Sequence, residues 1–215
     1  MIDKDLKQHV QNALDWEPSV DASDIGVSVD EAVVTQRGNV PSYGAKVVAE
    51  RVALRVYGVK AVANDLAVHL ANAFELTDTE LAQAAVTALR WNTMVPREQV
   101  TITAANGWLT LNGTLDWQYQ KDAAARAVRD LTGVKGVTND IILKPRATTD
   151  VRDKIEAAFK RSAEIDARRV NVTVVGGKVI LSGTVHSWAE RREAELAAWA
   201  APGVTQVEDR LTIIP

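Results

Sequence analysis

The sequence predicts an α/β (α+β) protein made of three tandem copies of one small module. Three observations predict it: a phrase that recurs at near-constant spacing, helix and strand periodicities that return in the same order, and glycines at matched positions. Gly58-Val59-Lys60-Ala61-Val62 returns as Gly133-Val134-Lys135-Gly136-Val137 and, more loosely, as Gly203-Val204-Thr205-Gln206-Val207, at offsets of 75 (58 to 133) and 70 (133 to 203). The same offsets superpose Gly38, Gly113 and Gly183, and also Ala49, Ala124 and Ala194. The modules are therefore placed at 1–70, 76–145 and 148–215.

Each module is expected to open with an amphipathic helix, because Leu6/Val10/Ala13/Leu14, Leu81/Ala85/Ala88/Leu89 and Val151/Ile155/Ala158/Phe159 share one helical stripe. Thr77 and Glu80 have the spacing of a capping box at the second of these. Period-2 alternation follows, as in Val100/Ile102/Ala104 and Leu109/Leu111, or Val170/Val172/Val174 and Val179/Leu181. The runs are split by Asn106-Gly107 or Gly176-Gly177, which marks a β-hairpin with a primed turn. A second helix carries small inward alanines, opens at Ser187-x-x-Glu190 in the third module, and is expected to stop at the glycines Gly58, Gly133 and Gly203. A last strand then returns parallel to its neighbour, giving a three-stranded mixed sheet with two helices on one face. Short joints, about 69–77 and 144–149, predict packed neighbours, while open sheet edges invite pairing with another chain.

The first module departs from this pattern. It has Ala32 in place of Gly107 and Gly177, and Gln36 in place of Leu111 and Leu181, with Pro41 and Gly44 at the start of its second helix. An altered hairpin is expected there, since an inward glutamine is costly unless paired.

The phrases Asn106-Gly107-Trp108-Leu109-Thr110-Leu111-Asn112-Gly113 and Gly176-Gly177-Lys178-Val179-Ile180-Leu181-Ser182-Gly183, each followed by a helix and Gly-Val-x-x-Val, resemble the BON domain (bacterial osmotically inducible Y and nodulation). The resemblance implies a non-enzymatic module of stress, outer-membrane and channel-associated proteins, supposed to bind phospholipid. It brings no catalytic residues and no cofactor. The hallmark glycines map to Gly113 and Gly183, whose simplest role is backbone geometry.

Composition narrows the chemistry. A net charge of −3 without a basic block argues against nucleic acid, and the absence of cysteine removes disulfides and thiolate chemistry. His9, His69 and His186 stand at unrelated repeat positions without metal-ligand spacing, and no nucleophile, phosphate-loop or dinucleotide motif occurs. The expectation is a binding protein, not an enzyme, with no metal. The charged first residues and the lack of a long apolar run predict a cytoplasmic or peripheral membrane protein, or a periplasmic one if the chain is a trimmed mature form.

Six tryptophans against two phenylalanines is the unusual feature, and four of them recur by place: Trp16 and Trp91 end first helices, and Trp117 and Trp188 start second helices. They are candidates both for seams between modules and for contact with lipid or partner. Lys46, Lys121, Arg191, Arg51 and Arg126 on second helices are candidates to meet anionic headgroups, or simply solvated charge. Asn64-Asp65 and Asn139-Asp140 offer oxygens to a cation, against the alternative of ordinary loop hydrogen bonding. The expected function is peripheral attachment to anionic phospholipid or to an envelope protein, with homo-oligomers; the alternative is a module sensing a small solute or cation.

Overall fold

The computed structural model describes residues 3–70, 76–145, 150–162 and 165–214, so most of both predicted joints lies outside the described residues. Module 1 runs α1 (Asp3–Trp16), β1 (Ile25–Asp30), β2 (Val33–Val40), α2 (Tyr43–Leu54) and β3 (Ala61–Val68). Module 2 repeats it as α3 (Asp78–Trp91), β4 (Val100–Ala105), β5 (Trp108–Leu115), α4 (Gln118–Arg129) and β6 (Gly136–Leu143). Module 3 follows with α5 (Val151–Arg161), β7 (Val170–Val175), β8 (Lys178–Val185), α6 (Trp188–Trp199) and β9 (Gln206–Ile213). In each sheet the hairpin is antiparallel and the last strand pairs in parallel with the second, as the repeat predicts.

The predicted stripes are the buried ones: Leu6, Val10 and Leu14 in α1, Leu81, Ala85 and Leu89 in α3, and Val151, Ile155 and Phe159 in α5. They meet inward strand residues such as Val34, Leu109 and Val179, and the fully buried alanines Ala49, Ala124 and Ala194 of the second helices. Alanine at these points lets helix backbone approach the sheet. The result is one apolar core per module.

The caps are built largely as their spacing predicts. Thr77 Oγ1 accepts from Glu80 N–H while the Glu80 carboxylate accepts from Thr77 N–H, the reciprocal box. Ser187 Oγ accepts from Glu190 N–H, but the Glu190 carboxylate reaches His186 N–H and Asp166 N–H instead, tying the helix start to the chain ahead of β7. One expectation needs correction. Gly58, Gly133 and Gly203 lie four residues beyond the helix ends at Leu54, Arg129 and Trp199. They occupy the third position of four-residue turns closed by Val59 N–H to Val56 O, Val134 N–H to Leu131 O and Val204 N–H to Ala201 O. Their φ values of 93°, 91° and 83° are those a type II turn demands there.

The hallmark glycines end the pairing of each hairpin, opposite Ile25, Val100 and Val170. A Cβ at Gly113 would lie 2.1 Å from the Gln99 carbonyl oxygen, and one at Gly183 would lie 2.0 Å from that of Arg169. Backbone contact alone excludes a side chain.

The first hairpin is not altered in structure. Its register, Ile25↔Gly38 to Asp30↔Val33, matches that of the other two, and Glu31 and Ala32 take the positive φ of a primed turn without glycine. The strain is offset from outside: the Asp3 carboxylate accepts from Glu31 N–H (3.0 Å) and Ala32 N–H (3.2 Å), as Asp78 does from Asn106 and Gly107 (2.8 and 2.9 Å). Gln36 points into the core fully buried; its Nε2 donates to Ala49 O at 2.9 Å, and its Oε1 meets no donor among the described residues.

An orphaned buried oxygen costs more than its sister bond returns, so Gln36→Leu is expected to raise unfolding free energy by about 1–2 kcal/mol. The measurement is the urea midpoint at unchanged slope; a lower midpoint would show that the bond to Ala49 dominates. The amides of Gly107 and Asn106 hold the Asp78 carboxyl below the usual aspartate value. A depressed carboxyl contributes fully above the ordinary value and loses that contribution as pH falls through its folded one, so the turn should loosen below about pH 4. NMR shifts of the Asn106 and Gly107 amides should titrate there in the wild type and stay flat in Asp78→Asn.

Candidate functional site

The four singled-out tryptophans separate into two environments. Trp16 and Trp91 are the last residues of α1 and α3, off the buried stripe, and are 88% and 79% exposed. Val86 and Met94, near Trp91 in the chain, are exposed as well. Between α3 and the start of β4 lies a cleft of about 360 Å³, floored by Val86, Leu89, Val100 and Ile102 and rimmed by Arg90, Arg97 and Glu98. In the other modules Gln11 and Glu156 stand in place of Val86, so the apolar outer wall is peculiar to module 2.

Trp188 and Trp117 sit at the starts of α6 and α4 and are half-buried. The Trp188 indole donates to Val59 O of module 1 at 2.6 Å, a bond spanning 129 residues, and the Arg191 guanidinium lies 4.8 Å over its ring. Trp117 stacks on Tyr119 with ring centroids 6.5 Å apart. Trp199, which position-matching passed over because its counterparts are Leu54 and Arg129, packs against the cores of both module 3 and module 2. Tyr43 of α2 packs on the module 2 core, and Gly44 beside it admits Asp130, whose Oδ1 lies 2.5 Å from where a Cβ would stand. Each module thus touches both others: 1 meets 2 through Tyr43 and Gly44, 2 meets 3 through Trp199, and 3 meets 1 through Trp188.

Of the second-helix cations, Lys46, Lys121 and Arg191 are turned inward, while Arg126 is exposed. Lys46 Nζ donates to Leu66 O (2.8 Å) and Lys121 Nζ to Ile141 O (2.6 Å), on the last strand of the same module. Asn64 and Asn139 reach back, each donating to the carbonyl of that lysine at 3.1 and 2.9 Å and accepting from Leu66 or Ile141 N–H. Module 3 keeps the lock with both partners exchanged: Arg191 pairs with Asp209, which accepts from Leu211 N–H. These oxygens are thereby committed to the backbone. His9, His69 and His186 are exposed on separate elements, and among the described residues no group of three or more His, Cys, Asp or Glu is placed to hold a metal ion. No helix among the described residues is long and apolar enough to cross a membrane.

The BON domain profile matches this sequence three times, at residues 2–69, 77–145 and 147–215. The chain belongs to the BON-domain family. Osmotically-inducible protein Y of Escherichia coli (strain K12) is 32% identical over 148 residues, covering 67% of this BON chain and 74% of that protein. Among solved structures, the C-terminal domain of CdsD, the structural protein of the type III secretion system of Chlamydia trachomatis, covers 100% of both chains at 14% identity and a TM-score of 0.28. A second CdsD structure covers 98% of this chain and 93% of its own at 14% identity and a TM-score of 0.29. Superpositions this loose carry nothing over to the BON modules here.

If Trp188 belongs to the seam and Trp16 to solvent, their removal should differ. Trp188→Phe deletes the donor to Val59 O and is expected to cost about 1 kcal/mol, whereas Trp16→Phe should stay within about 0.5 kcal/mol of wild type. Thermal unfolding of the two variants is the check, and equal midpoints would deny the seam bond any weight.

Proposed function

We propose that this BON protein is a stress-associated binding protein that attaches peripherally to anionic phospholipid through the end of α3, with Trp91, Met94 and Val86 entering the headgroup boundary and Arg90 and Arg97 meeting phosphates. One observation carries the reading: an indole 79% exposed at the end of α3, the helix that forms one wall of an apolar cleft with arginines at its rim. Indoles favour the water–lipid boundary, and each cation near an anionic surface adds about 1 kcal/mol of attraction. Trp16 supplies a second exposed indole in module 1. The link to stress rests on the likeness to a relative named for osmotic induction. The family relationship and a sequence without a recognised catalytic motif support a binding role over an enzymatic one. Association with a second copy or with an envelope protein would use the open edges of outer strands such as β1 and β6, because the tryptophan seams are consumed within the chain.

Co-sedimentation with phosphatidylglycerol vesicles across a salt series tests this, with light scattering on the unbound protein. Wild type should bind at low salt and release as salt rises. Trp91→Ala together with Arg90→Gln should weaken partitioning by about tenfold or more, while Trp188→Phe should not. Equal binding of these variants, or equal binding to neutral vesicles, would refute the assignment.

A further inference from the structure

The second helices share a stripe at positions equivalent to 47, 51 and 54, the i, i+4, i+7 spacing of one helical face. Each module places an arginine at a different level on it: Arg192 in module 3, Arg51 in module 1 and Arg129 in module 2. The seam contacts bring these levels together. Gly44, two turns before Arg51 on the same face of α2, abuts Asp130, the neighbour of Arg129. Trp188, one turn before Arg192 on α6, bonds to Val59 just beyond the end of α2, where Arg55 also stands. The charges of Arg129, Arg192 and Arg55 accordingly all act on Arg51, so guanidinium groups from three modules share one junction.

Counter-charge there is already in use. Asp130 is held by Arg129 through two bonds of 3.0 Å, and among the described residues Arg51, Arg55 and Arg192 have no carboxylate bonded to them. Burial, followed by the like charges of Arg129, Arg192 and Arg55, presses Arg51 below the ordinary arginine value against the weaker opposing field of Asp130. The folded chain therefore holds cations in mutual repulsion at the place where its three modules meet. Guanidinium forks pair with tetrahedral oxyanions through two parallel bonds, and an oligovalent anion can serve several forks at once.

We propose that the three-module junction is a binding site for an oligovalent phosphate-type anion, with Arg51 at its centre and Arg129 and Arg192 flanking it. This site is separate from the end of α3 and stands whether or not that surface meets lipid. An anion held by residues of all three modules binds only the closed arrangement and so stabilises it by mass action.

The test is thermal unfolding of the full chain in sodium pyrophosphate against sodium chloride of equal ionic strength. A saturable rise in midpoint is expected with pyrophosphate, roughly 5 °C or more at a hundredfold excess over Kd. Arg51→Gln should unfold no lower than wild type in chloride, since it removes a repelled charge, and should lose the pyrophosphate response. Arg192→Gln, at an exposed position that leaves the core untouched, should weaken the response by about tenfold in Kd. Trp91→Ala should respond like wild type. The proposal is overturned if chloride reproduces the shift, or if Arg51→Gln and Arg192→Gln respond as wild type does. It is equally overturned if phosphatidylglycerol vesicles depend on Arg51 while pyrophosphate has no effect, which would assign the cluster to a lipid surface.

Discussion

Every module ends in a parallel edge strand, and holding that strand is the constraint on which the rest depends. A parallel edge has a ladder on one side only, so its register needs a second anchor. The second helix supplies it through the reciprocal lock between Lys46 and Leu66 O and between Asn64 and Lys46 O, repeated by Lys121 with Asn139. Module 3 exchanges both partners, Arg191 for lysine and Asp209 for asparagine, and keeps the connection. Two positions 18 residues apart in each module thus change together, because an ammonium bonded to a carbonyl and a guanidinium bonded to a carboxylate are two solutions of one problem.

Once that lock fixes the second helix to its sheet, the outer flank of the helix is set for every module alike, and modules this small gain by burying it against one another. The three flanks do so with different side chains: Tyr43 and Gly44 in α2, Asp130 after α4, Trp188 and Trp199 in α6. The seam is therefore built from what the repeats do not share, while the cores are built from what they do. Arg51, Arg129 and Arg192 are brought together by the same seams, because each sits at a different level of the flank that its module turns toward the others.

The division between inner and outer tryptophans follows from the same geometry. Trp188 and Trp199 lie on a helix that neighbours cover, whereas Trp16 and Trp91 end first helices and stay exposed. Module 2 adds exposed Val86 and Met94 to its exposed indole, where module 1 has Gln11 and Ser19 and module 3 has Glu156 in place of Val86. One repeat thereby acquires a distinctive surface with no change to the common fold.

The sequence by itself determined the repeat, the order of elements, the caps at Thr77 and Ser187, the inward alanines and the need for glycine at Gly113 and Gly183. These depend on local periodicity and backbone conformation, which a short stretch of residues settles. The ends of the second helices were less legible, because a glycine with positive φ serves a helix cap and a type II turn equally well. The first hairpin misled because its turn is held by Asp3, 28 residues before Glu31, a partner that no local pattern shows. Only the tertiary structure decided that Lys46 and Lys121 face inward, that Trp188 and Trp199 fill seams while Trp16 and Trp91 face solvent, and that arginines from three modules meet. Which flank of a helix is covered is fixed by long-range packing between modules, and equivalent positions in a repeat have different neighbours once the chain has folded.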